Sequence, residues 1–294
     1  MSSTSPHPAP TPDLTTHRLA ALRAELDRLD DSLHDTLMRR AEVVAQVGAL
    51  GAKGAVPLRP GREASIIRRL LARHRGGLAR ASLVRIWREL LAGTTSQQRP
   101  MLVTVCEAEG GPSLVPLARE HFGALTPVSP RRTPAQAIRD VRAGQATAAV
   151  LPVPAEDEAE GAAWWTALLQ QDEPRIHVVA RLPFWSARPD GTPHEQALVV
   201  TAAPPDPSGA DRSLIGLELP LDISRARLAA TLAEAGLAPE PLILRRDSGA
   251  SFARALADVD GFLEEGDPRL GGLRAVLRAP VLLGAYAIPV GEAE

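Results

Sequence analysis

The stretch LAALRAELDRLDDSLHDTLMRRAEVVAQVG, residues 19–48, decides how the first part of the chain folds. Its apolar residues Leu22, Leu26, Leu29, Leu33 and Leu37, then Val44 and Val47, recur at steps of three and four. That period returns side chains to one face of an α-helix, so the spacing predicts one long amphipathic helix over 14–47. Glycines 48, 51 and 54 and prolines 57 and 60 then break the pattern. A second periodic stretch from Gly61 carries Ile66, Ile67, Leu70 and Leu71, and Gly76 and Gly77 end it. Leu83, Ile86, Trp87, Leu90 and Leu91 mark a third helix that stops at Gln98, before Pro100.

Polar residues interrupt all three stripes. Arg40 continues the seam of the first helix from Leu33, and Arg23 flanks it. Glu63 precedes Ile67 and Leu70 by four and seven residues, and Leu83, Trp87 and Leu90 lead into Thr94 and Gln98. Breaking a buried charge pair costs about 3–5 kcal/mol, so such residues need partners inside the bundle. Arg23, Arg40 and Arg62 outnumber Glu63, which points to a small anion with two carboxylates as the missing partner. Arg23 and Arg40 lie 17 residues apart, about 25 Å of straight helix, too far to reach one small ligand. A two-fold dimer of antiparallel long helices removes the difficulty, each site taking an arginine from the other chain. Taken singly, each residue also fits a blander role: Thr94 a bond back to its own helix, Gln98 a helix end, and Arg59, Arg68, Arg69, Arg73 and Arg75 solvated or ion-paired surface groups.

After Pro100 the pattern alternates between strand and helix. Strands are expected at 102–106, 125–128, 147–151, 176–181 and 197–201, with a helix over 114–122 and another opened by Thr133 as N-cap and Pro134 as first residue, ending at Arg142. From 213 the expected order is β-α-β-β-α-β: strand 213–219, helix 223–235, strands 241–246 and 252–259, helix 268–277 and strand 281–287. Pro/Gly/Asp-rich connectors run over 186–195 and 203–211. His177, His194 and the acidic run 156–160 read as surface groups, and Trp164 and Trp165 as packing.

The 294 residues suffice for two or three domains at an ordinary 45% hydrophobic content. With 33 basic against 35 acidic side chains, the net charge of -2 gives no surplus for nucleic acid or anionic membranes. Cys106 is the single cysteine, which excludes an intramolecular disulfide and a multi-cysteine metal site. Residues 1–13 are Ser/Thr/Pro-rich, neither signal peptide nor membrane span, and read as a disordered tail. A cytoplasmic location follows by default.

On these residues the segment from Leu19 to Gln98 resembles the all-helical chorismate mutase family. The matching text is Leu22-Arg23 with Leu29-Asp30, Arg39-Arg40 with Val47-Gly48, Arg62-Glu63, and Thr94 with Gln98. The resemblance implies an intertwined homodimer with shared sites and chorismate as substrate. Arg23 of the second copy, Arg40 and Arg62 would hold its carboxylates, Thr94 would assist, Glu63 would accept from the ring hydroxyl, and Gln98 would donate to the ether oxygen. The implied reaction is a pericyclic rearrangement to prephenate that needs no nucleophile, cofactor or metal. Two positions depart from the family: its ether-oxygen lysine falls on Gly51, with the chain's only lysine, Lys53, two residues later, and an acidic residue before the Arg-Glu pair is Arg59.

Residues 101–181 resemble the first lobe of prephenate dehydratase, and 213–290 resemble the ACT regulatory module that follows it, on Pro207-Ser-Gly-Ala-Asp-Arg-Ser-Leu214 and Leu282-Leu-Gly-Ala-Tyr286. The dehydratase Thr-Arg-Phe motif aligns with Gln196, Ala197 and Leu198, and Pro-Ile-Glu-Asn-Ser with Pro152, Val153, Pro154, Ala155 and Glu156. A second lobe is missing, so dehydratase activity is expected to be absent. The organisation expected is a tail (1–13), an all-α mutase unit (14–99), a one-lobed α/β region (100–205) and an α+β ACT-like βαββαβ module (206–294). Two rivals share these residues: an isochorismate pyruvate lyase on the same helices, and a non-catalytic subunit that binds chorismate or an aromatic amino acid.

Overall fold

The computed structural model describes residues 14–50, 58–159, 161–188, 191–192, 194–273 and 280–291. The expected tail and Lys53 lie outside them. The chain divides into two compact units between residues 52 and 53.

Among the described residues, the first unit is a single helix, α1 (Leu14–Ala49), 36 residues and about 54 Å long. None of its residues is buried, and Leu22, Leu26, Leu29 and Leu33 are each more than half exposed. The predicted leucine stripe is therefore present as a continuous apolar face.

The second unit holds α2 (Pro60–Arg73), α3 (Arg80–Gln98), β1 (Val103–Cys106), α4 (Val115–Phe122), β2 (Val128–Arg131), α5 (Pro134–Arg142), β3 (Ala148–Pro152), β4 (His177–Leu182), β5 (Ala197–Thr201), β6 (Asp211–Leu219), α6 (Arg225–Glu234), β7 (Pro239–Arg245), β8 (Ala253–Asp260), α7 (Pro268–Leu273) and β9 (Val281–Ala287). A helical N-terminal region followed by α/β structure is thus the observed order. Thr133 caps α5 as expected, its hydroxyl accepting from the Gln136 N–H. The strand expected at 125–128 is displaced: Leu125 is almost fully exposed and β2 begins at Val128. It pairs only with β1, as an edge strand, where Pro130 forfeits little by lacking an N–H. A 3-10 turn over Trp164–Gln170, unforeseen in the sequence, buries both tryptophans.

The nine strands among the described residues form one sheet, in the order β2-β1-β3-β5-β4-β9-β6-β8-β7. The β-α-β-β-α-β segment supplies the last four of these. It joins the preceding strands through the parallel pair β4–β9, where Gly284 lies opposite Val178. Gly284 has φ of 138°, a region L side chains avoid, and a Cβ there would overlap the Val178 backbone. Beyond the strands the seam continues: Val290 N–H donates to Phe184 O (2.7 Å), and Ser186 N–H to Val290 O (2.9 Å).

α2 and α3 share a core with this sheet unit. Ala64, Ile67, Leu71, Val84 and Leu91 pack with Phe184, Trp185, Ala287 and Val290. The face that α3 buries is one residue away from the expected stripe. Val84, Arg88, Leu91, Thr94 and Thr95 are buried, while Leu83, Trp87 and Leu90 are only partly covered. Among the described residues, no helix is long and apolar enough to cross a membrane.

Replacing Gly284 by alanine is expected to cost at least about 2 kcal/mol, since it adds both a strained backbone and a steric overlap at the seam. Urea unfolding checks this; an unchanged midpoint would mean that β4 and β9 are not joined as described.

Candidate functional site

The start of α2 is fixed by a carboxylate from far along the chain. Pro60 has no N–H, and the next two amides, those of Gly61 and Arg62, donate to Asp206 Oδ1 (3.1 Å) and Oδ2 (2.9 Å). Asp206 also accepts from Arg59 Nε (3.2 Å). Asp206 therefore supplies the cap that α2's own sequence lacks, and its charge suits the positive end of the helix. A Cβ on Gly61 would overlap the Asp206 carbonyl, so glycine is what admits the connector here. About two turns on, the Arg68 guanidinium donates to Ser208 Oγ (2.8 Å), Ala210 O (3.0 Å) and Ile288 O (2.5 Å). Arg59 and Arg68, expected as surface groups, instead fasten α2 to the connector, and Arg68 reaches the chain beyond β9 as well.

This clamp presents Arg62 outward and Glu63 inward. Glu63 Oε2 accepts from Arg88 Nη1 at 3.0 Å, and Arg88 is only 4% exposed. The Arg88 guanidinium lies 4.6 Å from the Phe184 ring centroid, a cation–π contact worth more in a desolvated place than in water. Burial lowers the Arg88 pKa, and Glu63 and Glu120 oppose that shift. The sequence reading missed Arg88. Its signal was the alternative stripe Val84, Arg88, Leu91, Thr95, spaced as regularly as the one chosen.

Thr94 and Gln98 lie one turn apart on α3, and the Thr94 hydroxyl is within bonding distance of Leu90 O (2.9 Å) and Leu91 O (3.1 Å). Arg88 precedes Gln98 by about 15 Å of helix axis. In the first unit, Arg23 is exposed and Arg40 half-buried, its pKa lowered by burial. Their spacing on α1 keeps these two arginines from one ligand within a single chain. Among the described residues, no group of three or more His, Cys, Asp and Glu side chains is placed to hold a metal.

Next to Arg88, His121 of α4 is 7% exposed, and neither ring nitrogen has a hydrogen-bond partner among the described residues. Burial, and then the Arg88 charge, hold its pKa well below the usual histidine value. His177 and Glu158, read from sequence as surface groups, are partly buried, with pKa values lowered and raised by that burial.

Residues 22–99 match the family model described as chorismate mutase type II. Among curated proteins, the bifunctional chorismate mutase/prephenate dehydratase of Stutzerimonas stutzeri is 30% identical over 151 residues, covering 49% of this chain and 40% of that protein. The protein of the same description from Pseudomonas aeruginosa is 28% identical over 151 residues with the same coverage. The chain thus spans about two-fifths of the length of the curated relatives it matches. Of solved structures, prephenate dehydratase from Arthrobacter aurescens aligns at a TM-score of 0.46 with 18% identity, over 64% of this chain and 90% of that one. The Streptococcus mutans prephenate dehydratase aligns at 0.47 with 17% identity, over 63% and 97%.

A histidine held neutral in the folded state binds fewer protons there than when unfolded. Its contribution to stability is complete above its ordinary pKa of 6.5 and is lost as pH falls toward the lowered folded value. The urea midpoint of the wild type should therefore drop progressively as pH falls below 6.5. His121→Gln should flatten that slope, leaving the smaller part due to His177; an identical slope in the variant would show that His121 titrates normally.

Proposed function

We propose that the chain is a chorismate mutase that rearranges chorismate to prephenate. The observation that carries this reading is the match of residues 22–99 to the type II family model, together with a clamp that places the Arg62-Glu63 pair at the start of α2. In the proposed reaction the ether C–O bond breaks and a C–C bond forms within one molecule, with no net proton or electron exchanged. The protein's task is to hold a compact conformer and stabilise charge developing on the ether oxygen. Arg40 and Arg62 would bind the two carboxylates, with Thr94 beside them; Glu63 would accept from the ring hydroxyl and Gln98 donate to the ether oxygen. Lys53 is the candidate second donor.

The proposed assembly is a homodimer in which Arg23 serves the other chain's site. The α1 leucine stripe supports it: four leucines that are just over half exposed would each add about 1 kcal/mol if a second copy covered what is left open. Dehydratase activity is proposed to be absent. Gln196 stands where its threonine would, and Ala197 and Leu198 are buried in β5 as sheet core. The β6-to-β9 segment is proposed as an ACT-like module on its strand order and connections.

One observation favours a second reading, a subunit that binds chorismate without turning it over: Arg88 already occupies the Glu63 carboxylate. Following chorismate loss and prephenate formation decides between them. Wild type should turn over, and Arg40→Ala should lose roughly 100-fold or more in kcat/KM with its helical circular dichroism retained. Chorismate binding by calorimetry without turnover in the wild type would establish the second reading, and pyruvate release from isochorismate would establish a lyase.

A further inference from the structure

A cleft of about 630 Å³ opens between α3, α4 and the segment that follows β4, entirely within the second unit. Its walls are apolar where Val84, Ile86, Phe184 and Trp185 line it, and Ile86 is half exposed there. Its charges do not balance. Arg85, Arg88, Arg119 and Arg188 face it with two carboxylates, Glu89 and Glu120.

The partners of these groups show which charge is unmet. Arg188 Nη1 donates to both Glu120 oxygens, at 2.9 and 2.8 Å, and Arg88 is held by Glu63. Arg119 donates to the Ala124 carbonyl, and Glu89 accepts the Ala124 N–H. Arg85 has no partner among the described residues. Counting Glu63, four guanidiniums meet three carboxylates, an excess of one positive charge. Buried polar atoms are unmet too: Arg188 Nε and both ring nitrogens of His121 have no hydrogen-bond partner among the described residues. Each such atom is a standing cost that a polar ligand group removes.

We propose that this cleft binds a small monocarboxylate carried on an aromatic or similarly flat apolar body. The carboxylate engages the guanidiniums of Arg85 and Arg188, the body lies along Phe184 and Trp185, and His121 forms part of the polar floor. An apolar cleft with a few convergent polar groups is the usual form of a small-molecule site, and the guanidinium fork matches a carboxylate. Because Arg88 both lines the cleft and holds Glu63, occupancy also bears on the proposed rearrangement site. That consequence rests on the mutase reading, whereas binding does not.

Calorimetry on the full chain with 3-phenylpropionate tests the proposal, with 3-phenylpropanamide as the uncharged counterpart and inorganic phosphate as the bare anion. Saturable binding of one acid per chain, at least tenfold tighter than either control, is expected. Arg85→Ala, an exposed position that leaves the fold intact, should weaken the acid at least tenfold. Equal affinity for acid and amide, equal affinity for phosphate, or an unaffected Arg85→Ala would overturn it. So would loss of binding in Arg62→Ala alone, which would put the acid at the α2 site. None of these readouts needs turnover, so the cleft and the mutase reading fail separately.

Discussion

An α-helix that begins with proline leaves its next amides without partners, and α2 meets that constraint with a carboxylate supplied from 144 residues downstream. Asp206 satisfies two backbone amides and one guanidinium at once, and Gly61 permits the close approach. With Arg68 anchored about two turns later, the helix is fixed both along its axis and in its roll. The inward direction of Glu63 follows, and with it the buried place of Arg88. The connector before β6 is therefore part of the scaffold of the candidate site, although it shares no sequence neighbourhood with it.

Arginine does most of the long-range fastening in this chain, which has a single lysine. Arg245, buried on β7, reaches the carbonyls of Glu158 and Ala159 and the Asp247 carboxylate. Buried Asp258 accepts from Arg212 Nε (2.7 Å) and the Tyr286 hydroxyl (2.5 Å), and Arg181 bonds that hydroxyl at 3.0 Å. Burial and the neighbouring Asp258 push the Tyr286 pKa up to about 12. A planar fork of donors suits such work, because one side chain can bind carbonyls and carboxylates of several elements together. Abundant guanidinium in the sequence thus divides between fastening and ligand-facing roles, and burial and partners decide which is which.

What the sequence disclosed depended on how local the signal was. α1, the Thr133 cap of α5 and the βαββαβ order were legible because period, cap and turn residues lie within a few positions of one another. The α3 face was not, because Leu83-Trp87-Leu90 and Val84-Arg88-Leu91 fit the same period and only the tertiary core selects between them. β2 was misplaced because a four-residue edge strand carries little apolar pattern. Asp206 had no local signature at all. Of the candidate site residues, the neighbouring Arg62-Glu63 pair and the one-turn spacing of Thr94 and Gln98 were readable; the grip of Arg88 on Glu63 was not.

The junction at Gly284 limits how the C-terminal module moves. A domain tethered by a linker swings about it, but one whose strand hydrogen-bonds edge to edge with its neighbour belongs to the same twisted surface. With Val290 extending that bond network past the strand ends, rotation as a lid would break several backbone hydrogen bonds together. The low-cost deformation left is a change in sheet twist. The Ile288 carbonyl held by Arg68 is where such a torsion would first be felt by α2.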